Sequence, residues 1–160
     1  MDEHEFKQLY DRNARRMYNF ILWTTGNRAV CDDIVQTVFI KVWRSSSVPA
    51  LADEQTAWLY AVARNACIDY FRSTKRFVEY NDEIGSAVEQ PDTARDDGNQ
   101  AWHEVRGLPG TERAIVYLHI KMGYSYGEIG RFLDMTENHV RVTAFRALRK
   151  LRDILMRKGL

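Results

Sequence analysis

The stretch from Met122 to Leu151, MGYSYGEIGRFLDMTENHVRVTAFRALRKL, admits few folds. Its first part carries Ile129, Phe132 and Leu133 at helical spacing, opened by Ser125 as an N-cap with Glu128 three positions on, the pattern of a capping box. Asp134-Met135-Thr136 breaks that helix, and Thr136 is a good cap for the next one. Wound at about 100° per residue, the second helix puts Val140, Ala144, Ala147, Leu148 and Leu151 on one side, the spacing of a core stripe. Asn138, Arg141, Val142, Phe145, Arg146 and Arg149 gather on the other. Arginine bonds guanine bidentately or clamps phosphate, and asparagine reads adenine, so this face has the chemistry of a major-groove reader. A lone arginine-rich helix is more often a solvated face; the capped helix and tight turn before it make the pair a helix-turn-helix. Gly127 and Gly130 inside a short helix cost roughly 1 kcal/mol each relative to Ala, and a close helix–helix approach is expected at one of them.

A net charge of +1 looks wrong for a nucleic-acid binder until it is divided along the chain. Residues 1–76 hold 11 Lys/Arg against 9 Asp/Glu, or +2; residues 77–100 hold 1 against 7, or −6; residues 101–160 hold 11 against 6, or +5. Two basic blocks are therefore joined by an acidic connector. Cys31 and Cys67 lie in apolar helical patterns with no C-x-x-C or Cys/His pairing around them, and read as small buried hydrophobes in a reducing compartment. His4, His103, His119 and His139 are scattered, so no metal site and no cofactor is expected. With no signal peptide and no apolar run of membrane-spanning length, a soluble cytoplasmic protein is expected.

The first block reads as three amphipathic helices. Residues 3–23 carry Phe6, Leu9, Tyr10, Met17, Phe20 and Ile21 near an i, i+3, i+4 pattern, stopped by Gly26 as a C-cap. A second helix from about Ala29 to Trp43 buries Ile34, Val35, Val38, Phe39 and Val42 and turns Asp32, Asp33, Gln36 and Lys41 outward. A loop from Ser45 to about Gln55 precedes a third helix, about Thr56 to Arg76, with Leu59, Val62, Ala63, Ala66, Cys67 and Tyr70 inside. Residues 77–100 lose the helical period and read as a flexible acidic linker. Structure resumes near Ala101, and past Leu108-Pro109-Gly110 a helix capped by Thr111 is expected, with Ile115, Val116 and Leu118 as its apolar set. The fold class is all-α: a helical bundle over 1–76, the linker 77–100 and a helix-turn-helix domain over 101–160.

Taken together these motifs resemble a bacterial sigma factor of the small two-domain extracytoplasmic-function type. Asp32-Asp33-Ile34-Val35-Gln36-Thr37-Val38-Phe39, followed by Trp43, is similar to the family's helix for docking on the RNA polymerase beta-prime clamp. Ala57-Trp58-Leu59-Tyr60-Ala61-Val62-Ala63-Arg64-Asn65, continuing to Asp69 and Arg72, resembles the segment that opens and reads the minus-10 element. Leu108-Pro109 with Glu112-Arg113, then Gly123-Tyr124-Ser125-Tyr126-Gly127-Glu128-Ile129, is similar to the minus-35-reading domain. Four matches in the right order and spacing make the resemblance specific over nearly the whole chain.

The resemblance implies a non-enzymatic promoter-specificity subunit. Asp32, Asp33, Gln36, Phe39 and Trp43 would bind polymerase. Ser45 and Ser46, in the loop after Trp43, would hold a flipped base, a step that costs a few kcal/mol, with Asn65 lining its path. Trp58 and Tyr60 either stack on unpaired bases or pack half-buried; Arg64, Arg72, Lys75 and Arg76 either track the single strand or form a solvated face. Asn138, Arg141, Val142, Phe145, Arg146 and Arg149 would meet minus-35 DNA. The pair Asn138-His139 departs from the Gly-Thr or Ser-Thr common in relatives, which leaves the minus-35 sequence open. Implied partners are core RNA polymerase (beta-prime clamp and beta flap), promoter DNA and an anti-sigma factor, with a monomer when free. A conventional regulator has no need of the Asp32–Trp43 motif, and a helical enzyme would need a phosphate loop, nucleophile–base pair or ligand cluster that the sequence lacks.

Overall fold

A computed structural model describes residues 1–80 and 104–159, with side chains left aside for 74–80. The described residues are helical with no strand among them. The first three helices are α1 (Glu3–Thr25), α2 (Arg28–Arg44) and α3 (Ala52–Tyr80). The second block has α4 (Gly110–Val116), which runs into a π-helical turn (Tyr117–Lys121), then α5 (Tyr126–Leu133) and α6 (Glu137–Arg157).

Local chemistry sets most boundaries. Asp2 and Glu5 close a capping box at the start of α1, where acidic groups also favour the helix dipole. Gly26 ends the helix in the left-handed region, φ 70°, and Asn27 caps α2 through Val30 N–H. α3 begins at Ala52, four residues earlier than expected, because Asp53 and Glu54 suit a first turn and Gln55 N–H already reaches Leu51 C=O. At its other end it reaches Tyr80, four residues into the expected linker; the rest of that linker lies outside the described residues. Thr111 is not the cap of α4: that helix starts at Gly110 with Pro109 in the cap position and no side-chain bond there.

The buried side chains form one continuous core through both blocks. α1, α2 and α3 pack mutually, α6 packs on α4 and α5, and the blocks meet where α3 lies against α5 and α1 lies against α4. This explains why Leu22 and Trp23, outside the expected stripe of α1, are buried: the last turns of that helix are covered from both sides. Trp23 stacks on Tyr117 with ring centroids 5.6 Å apart. Tyr60 of α3 is fully buried, stacked on Phe132 of α5 at 4.6 Å and edge-on to Phe20 and Tyr124 at 5.1 and 5.8 Å. Arg113 donates to the carbonyls of Thr24 and Arg106. The Thr24 carbonyl belongs to the C-terminal turn of α1, where the helix leaves unmatched acceptors and a partial negative charge. Burial lowers the pKa of Arg113. A cavity of about 300 Å³ remains in this seam, bounded by Phe20, Cys67 and Phe71 on one side and Arg113, Leu133 and Met135 on the other.

No helix among the described residues is long and apolar enough to cross a membrane. Both cysteines are buried, and burial first of all pushes each thiol up to about 12.

Candidate functional site

The outer face of α2 presents the first group of predicted residues. Asp32, Asp33, Gln36 and Trp43 are exposed, Trp43 by 49%. Phe39 is 5% exposed and lines a groove of about 450 Å³. The groove walls add Phe6, Tyr10 and Ile40, which sequence reasoning did not assign to a surface. Tyr10 packs edge-on against Phe39 at 4.7 Å and Phe6 against Trp43 at 5.1 Å, so α1 props the aromatic face of α2. Tyr10 at 42% and Ile40 at 44% exposure are large apolar groups left in water. Such a patch flanked by carboxylates marks an interaction surface. The signal in the sequence was the i, i+4 pair Phe6 and Tyr10, which the helical pattern assigned to the core.

The loop between α2 and α3 makes the second feature. Ser45 and Ser46, with Val48, Pro49 and Ala50, border a polar hollow of about 460 Å³. The Ser45 hydroxyl accepts from Ser47 N–H. The other wall is α1: Glu5, Gln8 and Arg12, at i, i+3 and i+7. Arg12 donates to Gln55 Oε1 at 3.0 Å, and Gln55 Nε2 donates to Pro49 C=O at 2.8 Å, so a guanidinium and an amide hold the loop's shape. Arg16, one turn further on, donates to Thr56 of α3 at 3.2 Å. Reading the loop alone missed Gln8, Arg12 and Gln55; the regular spacing of polar residues on α1 was the available clue.

Along α3 the predicted residues separate. Asn65 and Arg72 are exposed, Arg64 and Trp58 are half-buried, and Arg64 borders the seam cavity. Of the two readings for Tyr60, this structure shows packing, and more complete than half-buried: Phe132 occupies its face and no part of it reaches solvent. Burial, then the Tyr124 hydroxyl, raise its pKa. Lys75 and Arg76 fall among the side chains not described.

The third feature is α6. Asn138, Arg141, Val142, Phe145, Arg146 and Arg149 are all exposed on one face, Phe145 by 66%. Val140, Ala144, Ala147 and Leu151 form the buried stripe; Leu148, expected inside, is 37% exposed at its margin. The turn that aims this helix depends on Gly130. A Cβ there would lie 2.6 Å from Met135 C=O, and Gly130 C=O accepts from Met135 N–H. What approaches Gly130 is thus backbone of the turn at Met135 and of the first residue of α6, Glu137, whose N would lie 3.5 Å away. Asp134 takes φ 53° to close α5. Ser125 Oγ accepts from Glu128 N–H, one half of the expected capping box, and Thr136 Oγ1 accepts from His139 N–H.

Residues 9–77 match sigma-70 region 2 and residues 105–153 match sigma-70 region 4. The chain belongs to the sigma-70 family, as a small sigma factor of the extracytoplasmic-function type. It is 29% identical to the ECF RNA polymerase sigma factor SigL of Mycobacterium tuberculosis over 96% of this chain and 90% of that protein. It is 26% identical to SigX of Bacillus subtilis over 94% of this chain and 83% of that one. The fold is similar to the sigma factor RpoE in a complex with the anti-sigma factor NepR from Bartonella quintana, with TM-score 0.79, 20% identity, and coverage of 95% and 97% of the two chains. A sigma factor directs RNA polymerase to particular promoters and initiates transcription there, and that is the function of this chain. The helix-turn-helix of α5 and α6 is its region 4 DNA-binding element.

Proposed function

We propose that residues 1–76 dock on core polymerase and read and melt the minus-10 element, and that residues 101–160 read the minus-35 element, with 77–100 as the connector. The sigma factor supplies recognition and no catalytic chemistry of its own. The groove of α1 and α2 receives the beta-prime clamp: Trp43, Ile40 and Tyr10 provide apolar anchors, and Asp32, Asp33 and Gln36 give charge and hydrogen bonds around them. The carrying observation is this pairing of exposed aromatics with acidic neighbours on a helix that a free bundle would keep polar. The second block meets the beta flap.

The hollow bounded by Ser45, Ser46, Gln8 and Arg12 receives a base flipped from the minus-10 strand. Its lining includes amide, guanidinium and hydroxyl groups, a set suited to reading a Watson–Crick edge. Asn65, Arg64, Arg72, Lys75 and Arg76 guide the single strand, with Trp58 beside them. On α6, Arg141, Arg146 and Asn138 reach base edges, Arg149 reaches phosphate, and Val142 and Phe145 make apolar contact with thymine methyls. An anti-sigma factor is a further partner, supported by the likeness to a sigma factor solved with one. The free chain is a monomer in the cytoplasm.

The test is co-purification with bacterial core RNA polymerase, wild type beside Asp33→Lys. The wild type forms the complex; the variant keeps its fold and melting temperature and fails to assemble. Normal assembly by the variant moves the docking surface elsewhere.

A further inference from the structure

Arg141 is the cation nearest the start of the recognition helix, and in this structure it is not a free side chain. Its Nη2 donates to Glu137 Oε1 at 3.1 Å, one helical turn back. Its guanidinium carbon lies 5.9 Å from the ring centre of Tyr126, across the turn on α5. The Tyr126 ring is itself stacked on the His119 imidazole, with centroids 4.3 Å apart and planes 25° from parallel. His119 is fixed in turn, with Nδ1 2.8 Å from Tyr124 C=O. A carbonyl only accepts, so Nδ1 carries the proton. The π-helical turn, α5 and α6 thus each contribute one layer, in the order imidazole, phenol, guanidinium, closed by a carboxylate.

An arginine in water has many rotamers and loses them on binding DNA, a cost that a prepositioned side chain avoids. Glu137 uses one guanidinium nitrogen, and the remaining donors of the fork stay open toward the exposed face. We infer that Tyr126, backed by His119, is a positioning residue that sets the reach of Arg141 and so sharpens the base preference of the upstream element. This rests on the proposal above that Arg141 contacts minus-35 DNA.

The experiment is selection of promoter-length duplexes, randomised over the upstream element, by polymerase holoenzyme carrying the full-length chain. Arg141→Ala comes first. It flattens the preference at one base-pair position; a selected sequence unchanged by this variant would refute the underlying assignment of α6, separately from the present inference. Tyr126→Leu then flattens the same position, lowering affinity about three- to fivefold, as expected for an exposed cation–π contact. Tyr126→Phe restores the preference, because the ring and not the hydroxyl does the positioning. In the Arg141→Ala background Tyr126→Leu has no further effect. A loss of equal size with and without Arg141, or a loss spread evenly over all positions, would show that Tyr126 only stabilises α5 and overturns the inference.

Discussion

Gly127 and Gly130 sit one turn apart in the same short helix, and alanine at the two positions is expected to have opposite effects. At Gly130 the new methyl carbon would stand 2.6 Å from Met135 C=O in the turn and 3.5 Å from the backbone N of Glu137, the first residue of α6. The carbonyl must retreat by most of an ångström to reach ordinary contact. Overpacking of this kind costs about 1–3 kcal/mol. The retreat also strains the 2.9 Å bond from Met135 N–H to Gly130 C=O, worth about 1 kcal/mol, while helix propensity returns about 1 kcal/mol. The net is a loss of about 1–3 kcal/mol. At Gly127 the nearest atom is Glu137 Oε2 at 3.6 Å, an ordinary contact with a flexible side chain. Gly127→Ala therefore gains about 0.5–1 kcal/mol from reduced unfolded-chain freedom. For a chain of this size each kcal/mol moves Tm by about 2–4 °C, so the two variants bracket the wild type in one set of urea or thermal unfolding curves. The same curves decide the matter: Gly130→Ala as stable as wild type, or Gly127→Ala less stable than Gly130→Ala, would refute the close turn contact. Gly130→Ala should also blur minus-35 preference, since the turn it disturbs aims α6.

Ile40→Asp, placed in the groove of α1 and α2, is expected to abolish co-purification with core polymerase while leaving Tm unchanged, because Ile40 is 44% exposed; retained binding in a pull-down would remove the groove from the interface. Arg12→Ala should release Gln55 and the loop before α3, weakening base preference at a single minus-10 position by about 1 kcal/mol, read by competition between single-base promoter variants; an even loss across all positions would make Arg12 structural only. Burial holds Cys31, Cys67 and Tyr117 neutral, each pushed up to about 12. Groups with raised folded pKa stabilise the fold below their unfolded values and lose that contribution as pH rises. Stability measured by urea unfolding should therefore fall from about pH 9 towards pH 12; a flat profile there would place these groups in water.

The helix-turn-helix was legible because its instructions are local. Ser125, Thr136 and the alternation of Val140, Ala144 and Ala147 with Arg141, Phe145 and Arg146 specify caps and faces within a few residues. The outer face of α2 was legible in part: the exposed acidic positions could be read, but the groove walls Tyr10 and Phe6 could not, since an apolar residue at helical spacing looks the same in a core and on the rim of a groove. The full burial of Tyr60 was not legible for a related reason. Its neighbour Phe132 lies across the chain, and no pattern within α3 announces that a second block will cover it. Arg113 binding the end of α1 is likewise a contact between distant segments, in which a half-buried guanidinium donates to carbonyls.

The seam between the blocks has a consequence for how this sigma factor works. Elements named minus-35 and minus-10 lie about 25 base pairs apart, about 85 Å along B-DNA at 3.4 Å per pair. The described residues, 1–80 and 104–159, packed on one core, correspond to a radius of gyration of about 14 Å and a body about 40 Å across. With Tyr60 against Phe132 and Trp23 against Tyr117, the two proposed reading surfaces would not both reach such elements, so under the proposed assignment binding polymerase must part them. About 23 residues connect Tyr80 to Glu104, and they reach at most about 80 Å when extended, enough to permit it. Dyes at Lys7→Cys and Arg152→Cys, both exposed positions and one in each block, should show high energy transfer in the free chain and low transfer on core polymerase. Phe132→Leu keeps an apolar side chain in α5 but removes the stacked ring, worth about 0.5–1.5 kcal/mol. If closure competes with polymerase, that variant should bind core about two- to tenfold more tightly. Unchanged transfer on assembly would mean that the closed body is the working form, and one of the two reading surfaces would then have to be assigned to another part of the chain.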